Sequence, residues 1–309
     1  MQDHDRTASL MTPAKLAQVK PRAPVSPAAW LDRMATDAGH QHVRRIGELR
    51  AELLGQAGRR DLTPLAAALA RVAETLPRLD FGLLQQKVGF FARLSGKNKS
   101  AVAEFASQYD HIEAAAQALT QQAKALQGGP GDQASRTDLA LLEFEVEYRA
   151  IDKIIDQGAR WLQDMRNQLK AREAQGGDEA ARRQIHEDSQ RCELLVARLK
   201  SLRALSSAAQ QSHQQAGAVA ARRESVVQGL QTIVARQVRE WRIRIEPLAG
   251  AARDGELPSL SLEGPMDCHR DLQLCIKQAT ADCGQLQTHE KSLAQGLEAL
   301  DSHVQAATS

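Results

Sequence analysis

The sequence predicts an all-α fold: an elongated bundle built on a long antiparallel, coiled-coil-like helical hairpin, with shorter N-terminal helices. Three observations predict it. Charged residues make up 25% of the 309 and aromatics only 3%, and alanine, leucine, glutamine, arginine and glutamate dominate, which is the usage of long helices. No proline falls between Pro130 and Pro247, so no helix breaker of that strength interrupts the stretch. Within it, apolar residues recur at alternating spacings of three and four, a heptad seam. No run of alternating β-branched and polar residues calls for a sheet.

Residues 1–27 hold Pro13, Pro21, Pro24 and Pro27 among small and polar residues, the composition of a flexible tail. An N-terminal helical region is expected over 28–127. Its first helix starts at Ser26-Pro27, serine as cap and proline in the first turn. That helix carries Trp30, Leu31, Met34, Val43, Ile46, Leu49 and Leu53, with a break at Asp37–His40 and a turn over Gly55–Arg60. A second helix covers Thr63–Thr75. Next, Phe81, Leu84, Val88, Phe91 and Leu94 fall on one helical face, with Phe90 beside it and Lys97 and Lys99 beyond. That face suits packing onto the hairpin or a membrane interface. A helix then spans Ser100–Leu126, with Val102, Phe105, Tyr109, Ile112, Ala116, Leu119 and Ala123 inward.

Gly128-Gly129-Pro130-Gly131 marks a linker over 128–137, with Ser135 or Thr137 capping the long helix after it. The hairpin occupies 138–248 and turns at Gln175-Gly176-Gly177-Asp178. Its first arm carries Leu141, Phe144, Tyr148, Ile151, Ile155, Gly158, Leu162, Met165 and Leu169. The second carries Ile185, Cys192, Leu195, Leu199 and Leu202, then thins to Ser206, Ala209, His213, Ala216 and Ala220. It resumes at Val227, Leu230, Val234, Trp241 and Ile245. A glycine- and proline-bearing loop is expected over 249–265, and a last helix over 266–305 with Leu272, Cys275, Ala279, Leu286, Leu293, Leu297 and Leu300 on its apolar face.

The formal charge is +2, with acids and bases interspersed, so no global field favours nucleic acid. No apolar run has the roughly 18–20 residues of a spanning helix, and the first 27 residues lack a secretory apolar core. A cytoplasmic protein is expected, with peripheral contact at the inner membrane surface as a further reading. Cys192, Cys268, Cys275 and Cys283 sit on helical periods, in the manner of reduced cytosolic thiols.

Chemistry-bearing motifs are sparse. Cys268 and Cys275 are seven apart, two turns or about 10.5 Å along a helix, too far to share one ion within it. Gly128–Gly131 lacks the strand and lysine of a phosphate loop, and neither a G-x-S-x-G elbow nor an HExxH pair occurs. No catalytic residue, metal site or cofactor is expected, and no enzymatic activity. The densest basic patch, Arg236, Arg239, Arg242 and Arg244 around Trp241, suits acidic headgroups or phosphate, or a solvated face interleaved with Glu240 and Glu246. Cys268, Cys275 and Cys283 offer a thiol reading: capture of a soft oxyanion or metal.

The order of the apolar blocks carries a family resemblance. Gly89-Phe-Phe-Ala-Arg-Leu-Ser-Gly-Lys97 precedes a helix with Gln108-Tyr109 and Ile112. Then come Ala118-Leu-Thr-Gln-Gln-Ala-Lys-Ala-Leu126, the heptad helix, Leu195-Val-Ala-Arg-Leu-Lys-Ser-Leu202 and Val226-Val-Gln-Gly-Leu-Gln-Thr-Ile233, ending in Glu240-Trp241. This order resembles the TelA family of toxic-anion (tellurite) resistance proteins over about Leu79 to Leu248. The resemblance implies an elongated α-helical protein of bacterial type, linked to resistance or envelope stress and bringing no established reaction. Its partners are then other proteins, itself, or the membrane surface, met through helix faces. A Pro-Gln-Ile-Arg-like element expected between the two apolar blocks has no counterpart in Ser212–Val219, and no functional residue is carried over. Beside this stand a scaffold or membrane-binding protein unrelated to tellurite, and the thiol reading.

Overall fold

The computed structural model describes residues 38–58, 61–85, 97–126, 130–256 and 261–308. The fold is all-α. Among the described residues, seven α-helices follow one another: α1 His40–Gly58, α2 Thr63–Thr75, α3 Lys97–Ala125, α4 Pro130–Gln175, α5 Glu179–Thr232, α6 Arg239–Arg253 and α7 Glu263–Thr308. Two short 3-10 turns, Leu76–Arg78 and Phe81–Leu84, lie between α2 and α3. A π-type segment, Ile233–Val238, joins α5 to α6 without a break. The described residues pack as two units, and α1, α4, α5 and α7 contribute to both.

Of the described residues, the first unit holds 38–45, 147–207 and 303–308. Here α4 and α5 run antiparallel. Their turn uses Gly176 at φ +66°, a left-handed conformation open to glycine at little cost. Asp178 caps α5 by accepting from the Ala181 amide at 2.9 Å. Leu162, Met165 and Leu169 meet Cys192, Leu195 and Leu199 in one core cluster. Gly158 lets the arms close: a Cβ there would stand 2.8 Å from Leu199 Cδ2. Polar groups within the seam are paired, as burial requires. Ser206 donates to Asp152 at 2.5 Å, and Asp188 accepts from Arg172 at 2.7 Å and from Gln184 at 3.0 Å. The buried Arg198 donates to the carbonyls of Ala38 and Ala307.

The second unit holds residues 46–146 and 208–302. In it α2 packs on α3, and α3 on α6. Phe105, Tyr109, Ile112, Leu119, Phe144, Trp241, Ile245 and Leu248 are almost fully buried, each such side chain contributing about 1.5–3 kcal/mol. Charged pairs tie helix to helix: Arg50–Asp301 at 2.6 Å, Arg222–Asp282 at 2.8 Å, Arg223–Glu290 at 2.5 Å and Arg253–Asp110 at 2.6 Å. Of the thin seam, Ala209 and Ala216 are buried while His213 and Ala220 are half-buried, and Ser212 and Val219 beside it are buried.

Several boundaries differ from the sequence expectation, each for a physical reason. The helix expected after a linker over 128–137 begins at Pro130, where proline's missing N–H costs nothing in the first turn. Thr137, expected as a cap, is buried mid-helix and donates to Gln56 Oε1 at 2.7 Å. α1 runs through Gly55 to Gly58. Pro247, expected to end the hairpin, lies inside α6. The helix continues to Arg253 because Leu248, Ala249 and Ala252 are buried beyond the proline. The loop expected over 249–265 is correspondingly shorter, since α7 begins at Glu263. Trp30, Leu31, Met34, Val88, Phe90 and Phe91 lie outside the described residues, as does the tail 1–27.

Candidate functional site

Among the described residues, aromatic and titratable side chains gather in the second unit, where α3, α6 and α7 meet the 3-10 turn at Phe81. Trp241 comes from the first turn of α6, His269 from the second turn of α7, and Tyr109 from the middle of α3. The Asp80 side chain caps the 3-10 turn by accepting from the Gly82 amide at 2.8 Å, which directs Phe81 inward. Phe81 meets Phe105 edge-on at 5.7 Å and His269 at 5.5 Å. Tyr109 stacks on Trp241 at 5.2 Å with 13° between planes. The Arg253 guanidinium lies over the Tyr109 ring, 5.6 Å from its centroid. These geometries are the favoured ones for aromatic and cation–π pairs.

His269 is 6% exposed. Its Nδ1 accepts from the Trp241 indole N–H at 3.0 Å, and its ring also hydrogen-bonds the backbone at Leu76. Indole is a donor only, so Nδ1 carries no proton and the neutral ring holds its proton on Nε2. The Gln273 side-chain amide lies 3.0 Å from that nitrogen, and its oxygen is the end that accepts from the ring N–H. Burial pushes the imidazole's pKa below its ordinary value, because the cation would lose hydration. Around this node Arg242 grips Glu113 in a two-pronged pair, at 2.6 and 3.0 Å. The buried Tyr109 hydroxyl has no hydrogen bond of regular geometry. Burial first, and the nearby Glu246 carboxylate second, raise its pKa. Beside the node opens a groove of about 640 Å³, lined by Phe81, Leu262, Met266, His269, Arg270 and Gln273 among others.

The residues singled out in the sequence scatter. Phe81 and Leu84 are buried in the second unit. Lys97 and Lys99 stand in the first turn of α3. Of the basic patch, Arg242 belongs to the internal pair with Glu113, Arg236 lies 3.5 Å from Glu240 on an exposed turn, and Arg239 and Arg244 are exposed. Cys283 is buried, while Cys268 and Cys275 are half-buried. Burial raises the thiol pKa of Cys268 and of Cys283, opposite to what a reactive thiolate needs. Among the described residues, no group of three or more His, Cys, Asp and Glu side chains is placed to hold a metal ion. No helix among them is long and apolar enough to cross a membrane.

The Trp241–His269 link was not legible in the sequence. Tryptophan inside a basic run and histidine beside Cys268 are 28 positions apart. Only the antiparallel return of α7 against α6 brings them together. A second cleft, of about 400 Å³, lies at the hairpin turn with Arg172, Glu173, Arg182, His186 and Ser189 on its walls. Its charges are mixed, and Arg172 is engaged with Asp188.

A family model described as toxic anion resistance protein (TelA) matches residues 32–245. The match spans every element from α1 into α6, Trp241 included. No curated protein and no solved structure matches the chain.

Proposed function

Because the chain belongs to the toxic anion resistance protein (TelA) family, we propose that it serves resistance without chemistry of its own, through helix faces that contact a protein partner or the inner membrane surface. One observation carries this reading. The most chemically capable side chain of the candidate site, His269, is buried with its ring committed to Trp241 and to the backbone at Leu76. It serves to join α7 to α6 and is not poised to transfer a proton. The same holds for Arg242, Glu113, Arg253 and Asp110, which spend their charge on links between helices. Exposed faces are then where a resistance role would act.

Deletion of the coding sequence tests the role: tolerance to tellurite should fall, and return with the wild-type gene. Unchanged tolerance removes the resistance reading. A pull-down performed with membranes intact separates the two modes of contact. Recovery of a defined protein after detergent supports a protein partner, and recovery of lipid alone supports the membrane surface. The thiol reading has its own test. Serine in place of Cys268, Cys275 and Cys283 should leave protection intact under the contact reading and abolish it under the thiol one.

A further inference from the structure

The first turns of α7 are held to the second unit differently from the rest of that helix. Among the described residues from 261 through 271, His269 alone is buried, and its neighbours there are half-buried or exposed. Further along, Leu272, Ile276, Ala279, Cys283 and Leu286 form a buried apolar stripe, which docks the helix whatever the pH. Charge does not replace the stripe at the near end, because Arg270 pairs with Asp267 on the same helix. Hydrogen bonds to other elements run through the same histidine, to the Trp241 indole and to the backbone at Leu76. The near end of α7 is thus docked chiefly by one titratable ring.

That docking fits only the neutral ring. Indole can only donate, so Nδ1 must be bare to accept from Trp241 at 3.0 Å. A proton on Nδ1 would set two N–H groups against each other, and the bond must break. The cation would also be buried without a counter-charge, which is costly. On α6, Arg242 is taken by Glu113, while Glu240 and Arg244 act on the neighbouring Cys268. Tyr109 of α3 stacks on Trp241. Below the ring, Phe81 offers its edge, Asp80 accepts from Gly82 and Arg78 pairs with Glu74. On α7 itself, Glu263, Asp267 and Arg270 line the open groove beside the ring. Among the described residues, none of these carboxylates acts on His269.

We propose that His269 is an acid-operated latch. On taking up a proton it lets go of Trp241 and frees residues 263–271 of α7, while the stripe from Leu272 onward stays docked. Release widens the groove between Phe81 and Met266 and uncovers the Trp241 indole N–H. Burial holds the docked ring's pKa below its ordinary value. The freed end has an ordinary histidine, so it binds the proton more tightly and acid favours it. The latch does not depend on the contact reading above.

The test follows the full chain from about pH 7.5 to about pH 4.5, across the ordinary histidine range. Amide exchange read by mass spectrometry, corrected for the intrinsic effect of pH, reports the two parts of α7 separately. Below about pH 6.5, protection over 263–271 should fall about tenfold per pH unit, the slope of one proton. Protection over 276–300 should hold. Exchange of the Trp241 indole N–H, assigned in NMR spectra by its loss in Trp241→Phe, should speed up in parallel. His269→Gln keeps an oxygen that can accept from the indole and has no proton to gain, so its 263–271 protection should be flat with pH. His269→Lys carries a permanent charge and should leave 263–271 open throughout.

Loss of protection over 263–271 and 276–300 together overturns the proposal, because the ring then acts only on global stability. So does protection over 263–271 that ignores pH, or an acid release that persists in His269→Gln. If the glutamine chain is open at every pH, wild type decides. The latch then stands only where the indole exchange and the 263–271 protection share one pH profile, and separate profiles overturn it.

Discussion

At the scale of single residues, the Trp241–His269 hydrogen bond decides the most. Trp241→Phe keeps a ring on Tyr109 but leaves Nδ1 of a buried imidazole without a donor. The loss should cost about 1–3 kcal/mol, read as a lower midpoint in urea with an unchanged slope. Burial of the same imidazole sets a pH dependence. In the folded chain burial holds the His269 pKa below its ordinary value, whereas the unfolded chain takes up its proton near pH 6.5. As pH falls below about 6.5 the unfolded state binds more protons, so stability declines until the folded ring titrates as well. His269→Gln should flatten this part of the stability–pH profile. A profile of unaltered slope would show that the ring is not held neutral.

At the scale of helices, two positions test why the elements run where they do. Pro247 sits inside α6, where it removes one i to i−4 hydrogen bond and crowds the preceding turn. Burial of Leu248, Ala249 and Ala252 outweighs that cost, and Arg253 anchors the end to Asp110 and Glu246. Pro247→Ala should therefore raise stability, by about 1–3 kcal/mol, visible in the thermal midpoint. Gly158 tests the hairpin seam. A leucine there would drive into Leu199 and cost about 1–3 kcal/mol from overpacking, measurable by chemical denaturation. Gly158→Ala should be far milder, since a methyl meets only the flexible end of Leu199 and alanine favours helix by about 1 kcal/mol over glycine.

At the scale of the whole molecule, charge balance sets what the chain avoids. With 40 basic and 38 acidic residues, it has no excess field to release counterions from a phosphate backbone. The protein should leave a duplex DNA probe unshifted at about 0.15 M salt. Its charges are spent locally. Arg222 and Arg223 of α5 engage Asp282 and Glu290 of α7, and Arg242 of α6 engages Glu113 of α3. Such pairs contribute modestly to stability and specify which helix faces which.

The sequence by itself determined the helices and the inner face of α4, while on α5 Val226 is buried in place of the expected Val227. The spacing of Leu141, Phe144, Tyr148, Ile151, Ile155, Leu162, Met165 and Leu169 alone identifies the stripe that is buried, because a 3.6-residue period leaves one face to bury. Gly176-Gly177 marks the turn for the same local reason. The order of apolar blocks was also enough to suggest the family. Only tertiary structure decided where helices stop when burial competes with a local breaker, as at Pro130 and Pro247. It alone decided that Arg242 turns toward Glu113, that Phe81 and Leu84 face a core, and that His269 meets Trp241. It also left Leu139, Leu142 and Val146 outside. The physical reason is common to all of these. Periodicity is a property of one helix, whereas partner choice depends on how separate helices come together, and no single stretch of sequence encodes it.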